Sequence, residues 1–255
     1  MLSKNKMKFI RSLHQAKFRE MHKLFLAEGP KVVHGLIHSK YRIKTIAAHE
    51  DWINTHHNKL STEIEVIPVS QKELERISTL KTPNEILAVV EIPENVHPDP
   101  DATIQLILVL DEIRDPGNMG TILRTADWFG IPRVMCSRNC VDIYNPKVVQ
   151  AAMGSIARVD VIYLDLIDLL HSQPDKIPVY GAQMDGMNIY SENLTAHGFL
   201  LIGSESHGIS EKLKPYITHP VSIPSYSDRH GIRAESLNAS IATAILCAEF
   251  RRRSK

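Results

Sequence analysis

The sequence predicts an α/β protein of two domains. Strand and helix signals alternate along nearly all of its 255 residues, and a proline-marked stretch from Pro93 to Asp101 interrupts the alternation. Beyond that stretch the run Ile104 to Leu110 is apolar without a break, the signature of a strand buried on both faces of a parallel sheet. The expected boundaries are 1–92 for a smaller α/β domain, 93–103 for a linker and 104–255 for a larger parallel-sheet domain.

Taken in order, the first domain opens with a basic helix, followed by the strand Leu24 to Glu28, a helix near 30–38 and the strand Ile43 to Ala48. A helix around Asp51 to Asn58, the strand Ile64 to Val69, a helix Gln71 to Thr79 and the strand Ile86 to Ile92 complete it. Pro93, Pro98 and Pro100, with no apolar periodicity around them, mark the linker. In the second domain strands are expected at Val134 to Ser137, Val159 to Leu164, Val179 to Ala182, Phe199 to Ile202 and Val221 to Ile223, with helices between them. On patterning alone this is an ordinary doubly wound sheet. The last helix, Ser236 to Arg252, repeats apolar residues at Leu237, Ile241, Ile245 and Ala248; core packing is the first reading of that stripe and a subunit interface the second.

Composition narrows the function classes. A 43% hydrophobic content is ample for a packed core. Cys136, Cys140 and Cys247 form no CxxC pair and read as buried small hydrophobes in a reducing compartment, the cytoplasm. No stretch approaches the roughly 18 apolar residues of a membrane span, so no membrane partner is expected. The thirteen histidines show no metal-ligand spacing, and no metal is expected. With a net charge of +1, contact with a polyanion must rest on local charge. Lys4, Lys6, Lys8, Arg11, Lys17, Arg19 and Lys23, accompanied only by Glu20, form such a concentration, either a phosphate-facing surface or a solvated helix face.

Three short segments carry the chemistry. In Asp115-Pro116-Gly117-Asn118-Met119-Gly120, Asn118 is expected to cap the helix that bears Ile122, Leu123, Ala126 and Phe129. Arg124 on its second turn is then able to lean back over the loop, beside a positive helix end suited to a phosphate or a developing alkoxide; the alternative is a surface arginine. In Gly203-Ser204-Glu205-Ser206-His207-Gly208 two glycines bracket Glu205, which either orients Arg124, accepts from substrate or is a solvated carboxylate. Gly203 is expected to allow close backbone approach to a ligand, and His207 reads as a surface residue before a base. Ser236-Leu237-Asn238 opens the last helix, with Ser236 as a cap. No GxSxG elbow, GxGxxG fingerprint or GxxxxGK[ST] loop is present.

Together these segments resemble the motifs of the SpoU family of ribose 2'-O-methyltransferases, in the SPOUT superfamily: Asn118, Gly120 and Arg124 match the first, Gly203, Glu205 and Gly208 the second, and Ser236 to Asn238 the third. Upstream, Phe25 to Val33 and Thr82 to Val90 resemble an L30e-like RNA-binding domain. The chain departs from the family in a longer segment from Ser225 to Glu235 and in Asn84-Glu85, where Gln-Gly is more usual. The resemblance implies an α/β fold with a C-terminal parallel-sheet SPOUT domain tied in a deep trefoil knot, plus the smaller L30e-like domain. It implies S-adenosylmethionine as cofactor and a homodimer whose active sites borrow from both subunits. Arg124, Asn118, Glu205, Ser236 and Asn238 then become the catalytic set, and Gly203, Ile223 and Leu237, with Ala182, the cofactor contacts. The expected substrate is structured RNA, ribosomal before transfer RNA, held by Lys4, Lys6, Lys8, Arg11, Arg138, Lys147, Arg229 and Arg233. A non-catalytic RNA-binding or ribosome-assembly protein on the same scaffold is the rival from another class.

Overall fold

The computed structural model describes residues 2–94, 102–174, 176–226 and 236–253. It divides into two compact units, the first comprising 1–96 and 142–158, the second 97–141 and 159–255. In chain order the first unit holds α1 (Lys4–Ser12), α2 (Ala16–His22), β1 (Leu24–Glu28), α3 (Pro30–Ile37), β2 (Ile43–Ala48), α4 (Glu50–His56), β3 (Glu65–Pro68), α5 (Gln71–Ile77) and β4 (Ile86–Glu91). The second unit opens with β5 (Leu106–Leu110), α6 (Pro116–Trp128) and β6 (Arg133–Ser137). After α7 (Pro146–Ala152), which clusters with the first unit, come β7 (Asp160–Leu164), α8 (Leu166–His171), β8 (Val179–Asn188), β9 (Gly198–Ile202), β10 (His219–Ser222) and α9 (Ala239–Arg253).

The first sheet has the order β1-β4-β2-β3, with β4 antiparallel to both neighbours and β2 parallel to β3. β4 is central because Ile86 to Val90 are buried on both faces. The capping box Ser70/Glu73 starts α5, with the Glu73 carboxylate accepting from the Ser70 backbone N–H at 2.9 Å. The single basic helix expected at the start is two helices. The chain bends after Ser12 so that Ile10 and Leu13 both enter the core, and Lys23 closes α2 in the left-handed region at φ 53°.

Arg19 is the polar counterpart of that bend. Only 3% exposed, its guanidinium donates to the carbonyls of Leu13 (3.2 Å) and His14 (2.9 Å), beyond the end of α1, and to the carboxylate of Asp142 at 2.7 and 3.1 Å. It is an internal tie and not part of a phosphate-facing surface. Lys6 pairs with Glu65, whereas Lys4, Lys8, Arg11 and Lys17 remain exposed.

The second sheet is parallel throughout, in the order β10-β8-β9-β5-β6-β7. This departs from an ordinary doubly wound sheet, in which the first strand after the return crossover lies next to β5. Here β9 takes that place and β8 lies beyond it. β5 and β9 are buried at every position, as the unbroken apolar runs required. β8 runs on to Asn188, well past its expected end. Gly181 pairs with Pro220 but the next rung joins Met187 to Val221, so residues 182–186 leave the ladder. Gly186 lets the strand rejoin it, because a Cβ there would stand 2.5 Å from the backbone of Val221.

α9 buries Ala239, Thr243, Leu246 and Phe250, four positions along one face of the helix. Leu237, Ile241 and Ala248, expected in the core, are exposed instead: apolar residues lie on two sides of this segment, and the buried side is the one with Phe250, whose ring meets Tyr180 of β8 edge-on. All three cysteines are buried and unpaired, and burial pushes the Cys247 thiol up to about 12. No helix among the described residues is long and apolar enough to cross a membrane. Among the same residues no group of three or more His, Cys, Asp or Glu is placed to hold a metal ion.

Candidate active site

In an open parallel sheet, ligands sit outside the carboxyl ends of the strands, where neighbouring connections diverge. A cavity of about 640 Å³ lies there in the second unit. Its walls come from the β8 excursion (Ala182 to Asp185), the turn after β9 (Gly203, Glu205, His207), the end of β10 (Val221, Ile223) and the approach to α9 (Ser236, Leu237). All four expected cofactor contacts, Gly203, Ile223, Leu237 and Ala182, line it. A second cavity of about 170 Å³ shares Ser204, Glu205, His207 and Ala239 with the first and adds Glu112, Arg114, Asp115 and Asn118.

The turn after β9 is closed by a two-residue bridge: Ser204 N–H donates to the Gly208 carbonyl at 3.0 Å and Gly208 N–H to the Ser204 carbonyl at 2.9 Å. A Cβ on Gly203 would stand 2.0 Å from the Gly208 carbonyl carbon, so this glycine is required by the chain's own turn before any ligand is considered. Gly208 is at φ +65° with nothing near its missing side chain. Buried Asp111, at the end of β5, accepts from Ser210 N–H at 2.9 Å and anchors the far side of the turn.

Glu205 is thereby aimed at two asparagines. Its Oε1 accepts from Asn118 Nδ2 at 2.9 Å, from Asn238 Nδ2 and, at 3.3 Å, from the Ala239 backbone N–H at the start of α9. Asn238 Nδ2 also donates to Asn118 Oδ1 at 2.8 Å, while its own Oδ1 accepts from the N–H groups of Ser240 (3.0 Å) and Ile241 (3.3 Å). Asn238, rather than Ser236, therefore caps α9. Ser236 is an exposed residue of the larger cavity wall. One residue from each of the three sequence segments thus meets in a single hydrogen-bond network, with the carboxylate at a positive helix end.

The expected cap at Asn118 is displaced by one turn. Asp115 caps α6, accepting from Asn118 N–H at 2.8 Å, and Pro116 takes the first helical position. That frees the Asn118 side chain, 9% exposed, for Glu205 and Asn238. Arg124 does not join them. Six residues past Asn118, it lies about 240° round the helix, on the exposed face that also carries Thr121 and Trp128, and it lines neither cavity. Glu205 accordingly orients the asparagines and not Arg124.

Of the residues expected to meet RNA, Lys4, Lys8 and Arg11 are exposed on α1, Lys6 is partly exposed, and Arg138 and Lys147 are exposed after β6 and on α7. Arg229 and Arg233 lie outside the described residues. Met184, Asp185 and Lys214 line the larger cavity without having been anticipated, since nothing in the run Gln183 to Asn188 alternates as a strand does. Asp115 was legible, as an acidic residue directly before a proline.

Residues 105–248 match the model of the SpoU rRNA Methylase family, and residues 4–88 that of an MRM3-like substrate binding domain. A solved structure of a TrmH-family protein from Porphyromonas gingivalis is 41% identical, with a TM-score of 0.87 over the whole of both chains. The 23S rRNA (guanosine(2553)-2'-O)-methyltransferase RlmP of Bacillus subtilis is 29% identical over 96% of each chain. An AdoMet-bound rRNA methyltransferase from Sinorhizobium meliloti is 27% identical, with a TM-score of 0.84 over 99% of this chain and 97% of that one. Three motifs joined by one hydrogen-bond network, a family model matching more than half of the chain and a relative aligned end to end at 41% identity lead to one conclusion: the chain belongs to the SpoU rRNA methylase family.

Proposed function

We propose that the protein transfers a methyl group from S-adenosylmethionine to a ribose 2'-hydroxyl of ribosomal RNA. The convergence of Asn118, Glu205 and Asn238 beside the larger cavity carries this reading. The cavity fits a nucleoside-sized cofactor: about 640 Å³ is within the usual range for ligand pockets, and Ile202, Val221, Ile223, Leu237 and Leu246 supply apolar surface for a purine. Asp185 and Glu205 offer carboxylates to a cationic ligand, and Lys214 offers a cation to its carboxylate. When bound, S-adenosylmethionine supplies an electrophilic methyl on a sulfonium. The chain's own part is to hold both reactants in line and to favour an alkoxide-like oxygen.

In this reading Gly203, Ile223, Leu237 and Ala182 contact the cofactor, while Glu205, Asn118 and Asn238 fix the loops around it and Ser236 completes the wall. Arg124 acts from a second subunit. It shares the exposed face of α6 with Trp128, one turn away and 84% exposed, and α9, packed on α6, exposes Ile241 (52%), with Leu237 (45%) just before it. Apolar residues this exposed on two adjoining helices favour a homodimer. There Arg124, always protonated, stabilises the nascent oxyanion and grips a phosphate without taking a proton. The trefoil knot implied by the family belongs to the same reading; the stretch 227–235, through which its path would be traced, lies outside the described residues. Lys4, Lys8, Arg11 and Arg138 supply phosphate contacts, and the cytoplasm, where ribosomal RNA is processed in a bacterial-type cell, is the place of action.

Mapping of 2'-O-methyl groups in RNA from a strain lacking the gene tests this. One ribosomal-RNA position should lose its methyl group and regain it with the wild-type gene. Loss at a transfer-RNA position would move the substrate to that class. No loss, together with no binding of S-adenosylmethionine in a calorimeter, would favour the non-catalytic RNA-binding reading.

A further inference from the structure

We infer that His207 is the proton acceptor for the ribose 2'-hydroxyl, an assignment that rests on the methyl-transfer reading. Four described residues line both cavities: Ser204, Glu205, His207 and Ala239. A hydroxyl that enters through the smaller cavity and meets a methyl donor in the larger one must pass these residues, and only Glu205 and His207 among them can take a proton at neutral pH. Glu205 Oε1 already accepts three N–H donors. His207 is different: its ring is exposed, and its Nδ1 stands 2.8 Å from Ser206 Oγ. With Nδ1–H donating to that oxygen, the Nε2 lone pair is open to substrate. The His207 backbone N–H donates to Ser204 Oγ at 3.3 Å and ties the residue to the bridged turn.

Other charged groups line the same two cavities. In the smaller cavity they are Glu112, Asp115 and Arg114, the last paired with Glu112 at 2.8 Å. In the larger cavity they are Asp185 and Lys214, and Glu205 belongs to both. As the ribose oxygen bonds to the methyl carbon, its O–H bond breaks and the proton passes to Nε2. The donor's S–C bond breaks with its electron pair left on sulfur, giving neutral S-adenosylhomocysteine. One positive charge vanishes at sulfur and one arises on the imidazole, which then returns its proton to solvent. The arrangement supplies the base that an always-protonated arginine cannot.

The test is single-turnover methylation of ribosomal RNA extracted from a deletion strain, with saturating tritiated S-adenosylmethionine, between pH 5 and 9. The wild-type rate should rise along a limb centred in the imidazole range, and His207→Gln should lower the plateau by about 100-fold and abolish the limb. Nitrogen-15 NMR of the histidine rings, assigned by difference from His207→Gln, should show neutral His207 protonated at Nδ1. A His207→Gln rate within about threefold of wild type, a limb in the carboxylate range that points to Glu205, or a ring protonated at Nε2 would each overturn the assignment while leaving methyl transfer intact. Absence of methylation by the wild-type protein would defeat the functional reading itself, and the assignment with it.

Discussion

Replacing Gly203 by alanine separates two reasons for a glycine in the turn after β9. If the position exists to admit a ligand, the variant folds normally and merely binds less well. The structure says otherwise, because the new Cβ would stand 2.0 Å from the carbonyl carbon of Gly208, a backbone atom that cannot swing aside. Relief requires opening the Ser204–Gly208 bridge, with its two hydrogen bonds of 3.0 and 2.9 Å. At about 1 kcal/mol each, plus the strain of the displaced turn, the cost is roughly 2–4 kcal/mol. For a chain of this size that lowers Tm by roughly 5–15 °C. Glu205 moves with the turn, so S-adenosylmethionine binding, read by calorimetry, should be lost as well. Gly208→Ala is the internal control: no atom lies within 4 Å of its Cβ, and only the left-handed φ of +65° is penalised, by about 1–2 kcal/mol. That variant should melt a few degrees lower and still bind. A Gly203→Ala protein that melts within 2 °C of wild type would refute the backbone argument.

Other outcomes follow from the same geometry. Arg19→Ala, which strands two carbonyls and Asp142, should cost about 3 kcal/mol in urea unfolding, whereas Lys8→Ala and Arg11→Ala should cost less than about 0.5 kcal/mol and act on RNA binding instead; equal costs would contradict the distinction between tie and surface. Trp128→Glu with Ile241→Glu should give a monomer by light scattering and abolish methylation, and a variant still dimeric would place the interface elsewhere. The Glu249 carboxyl is held down at about 2, first by its hydrogen bond from Arg252, against the opposing effect of burial, and then by Arg253. A depressed carboxylate contributes stability that is complete above its ordinary value of 4.5 and is lost as pH falls toward 2. The Tm difference between wild type and Glu249→Gln should therefore be constant from pH 8 to 5.5 and shrink below pH 4.5; a difference unchanged at pH 3 would show that the carboxylate charge is not what stabilises α9.

How far the chain could be read depended on what each residue's neighbours were. β1 and β2 have the expected bounds, Leu24–Glu28 and Ile43–Ala48, because apolar runs between turn signals are local facts. The order β10-β8-β9-β5-β6-β7 is not local, and no alternation of helix and strand encodes it. β8 outran its expected end because residues 182–186 leave the ladder to line a cavity, where side-chain alternation has no meaning. In the last helical segment a real apolar stripe at Leu237 and Ile241 pointed to the wrong side, since Ala239, Thr243, Leu246 and Phe250 form a second stripe, and that one is buried. Asn118, Glu205 and Asn238 could be singled out as candidates through their motifs, but the network that links them could not: its bonds span 33 to 120 residues of chain. Arg19 lay hidden in a run of lysines, because burial of one cation among seven leaves no mark on charge.

The most direct measurement is a crystal structure of the protein with S-adenosylhomocysteine. The ligand should lie in the cavity bounded by Ala182 to Asp185, Gly203 to His207 and Leu237, with a second copy of the chain bringing its Arg124 to the same place. A ligand bound elsewhere, or a cavity that no second copy's Arg124 approaches, would contradict the account.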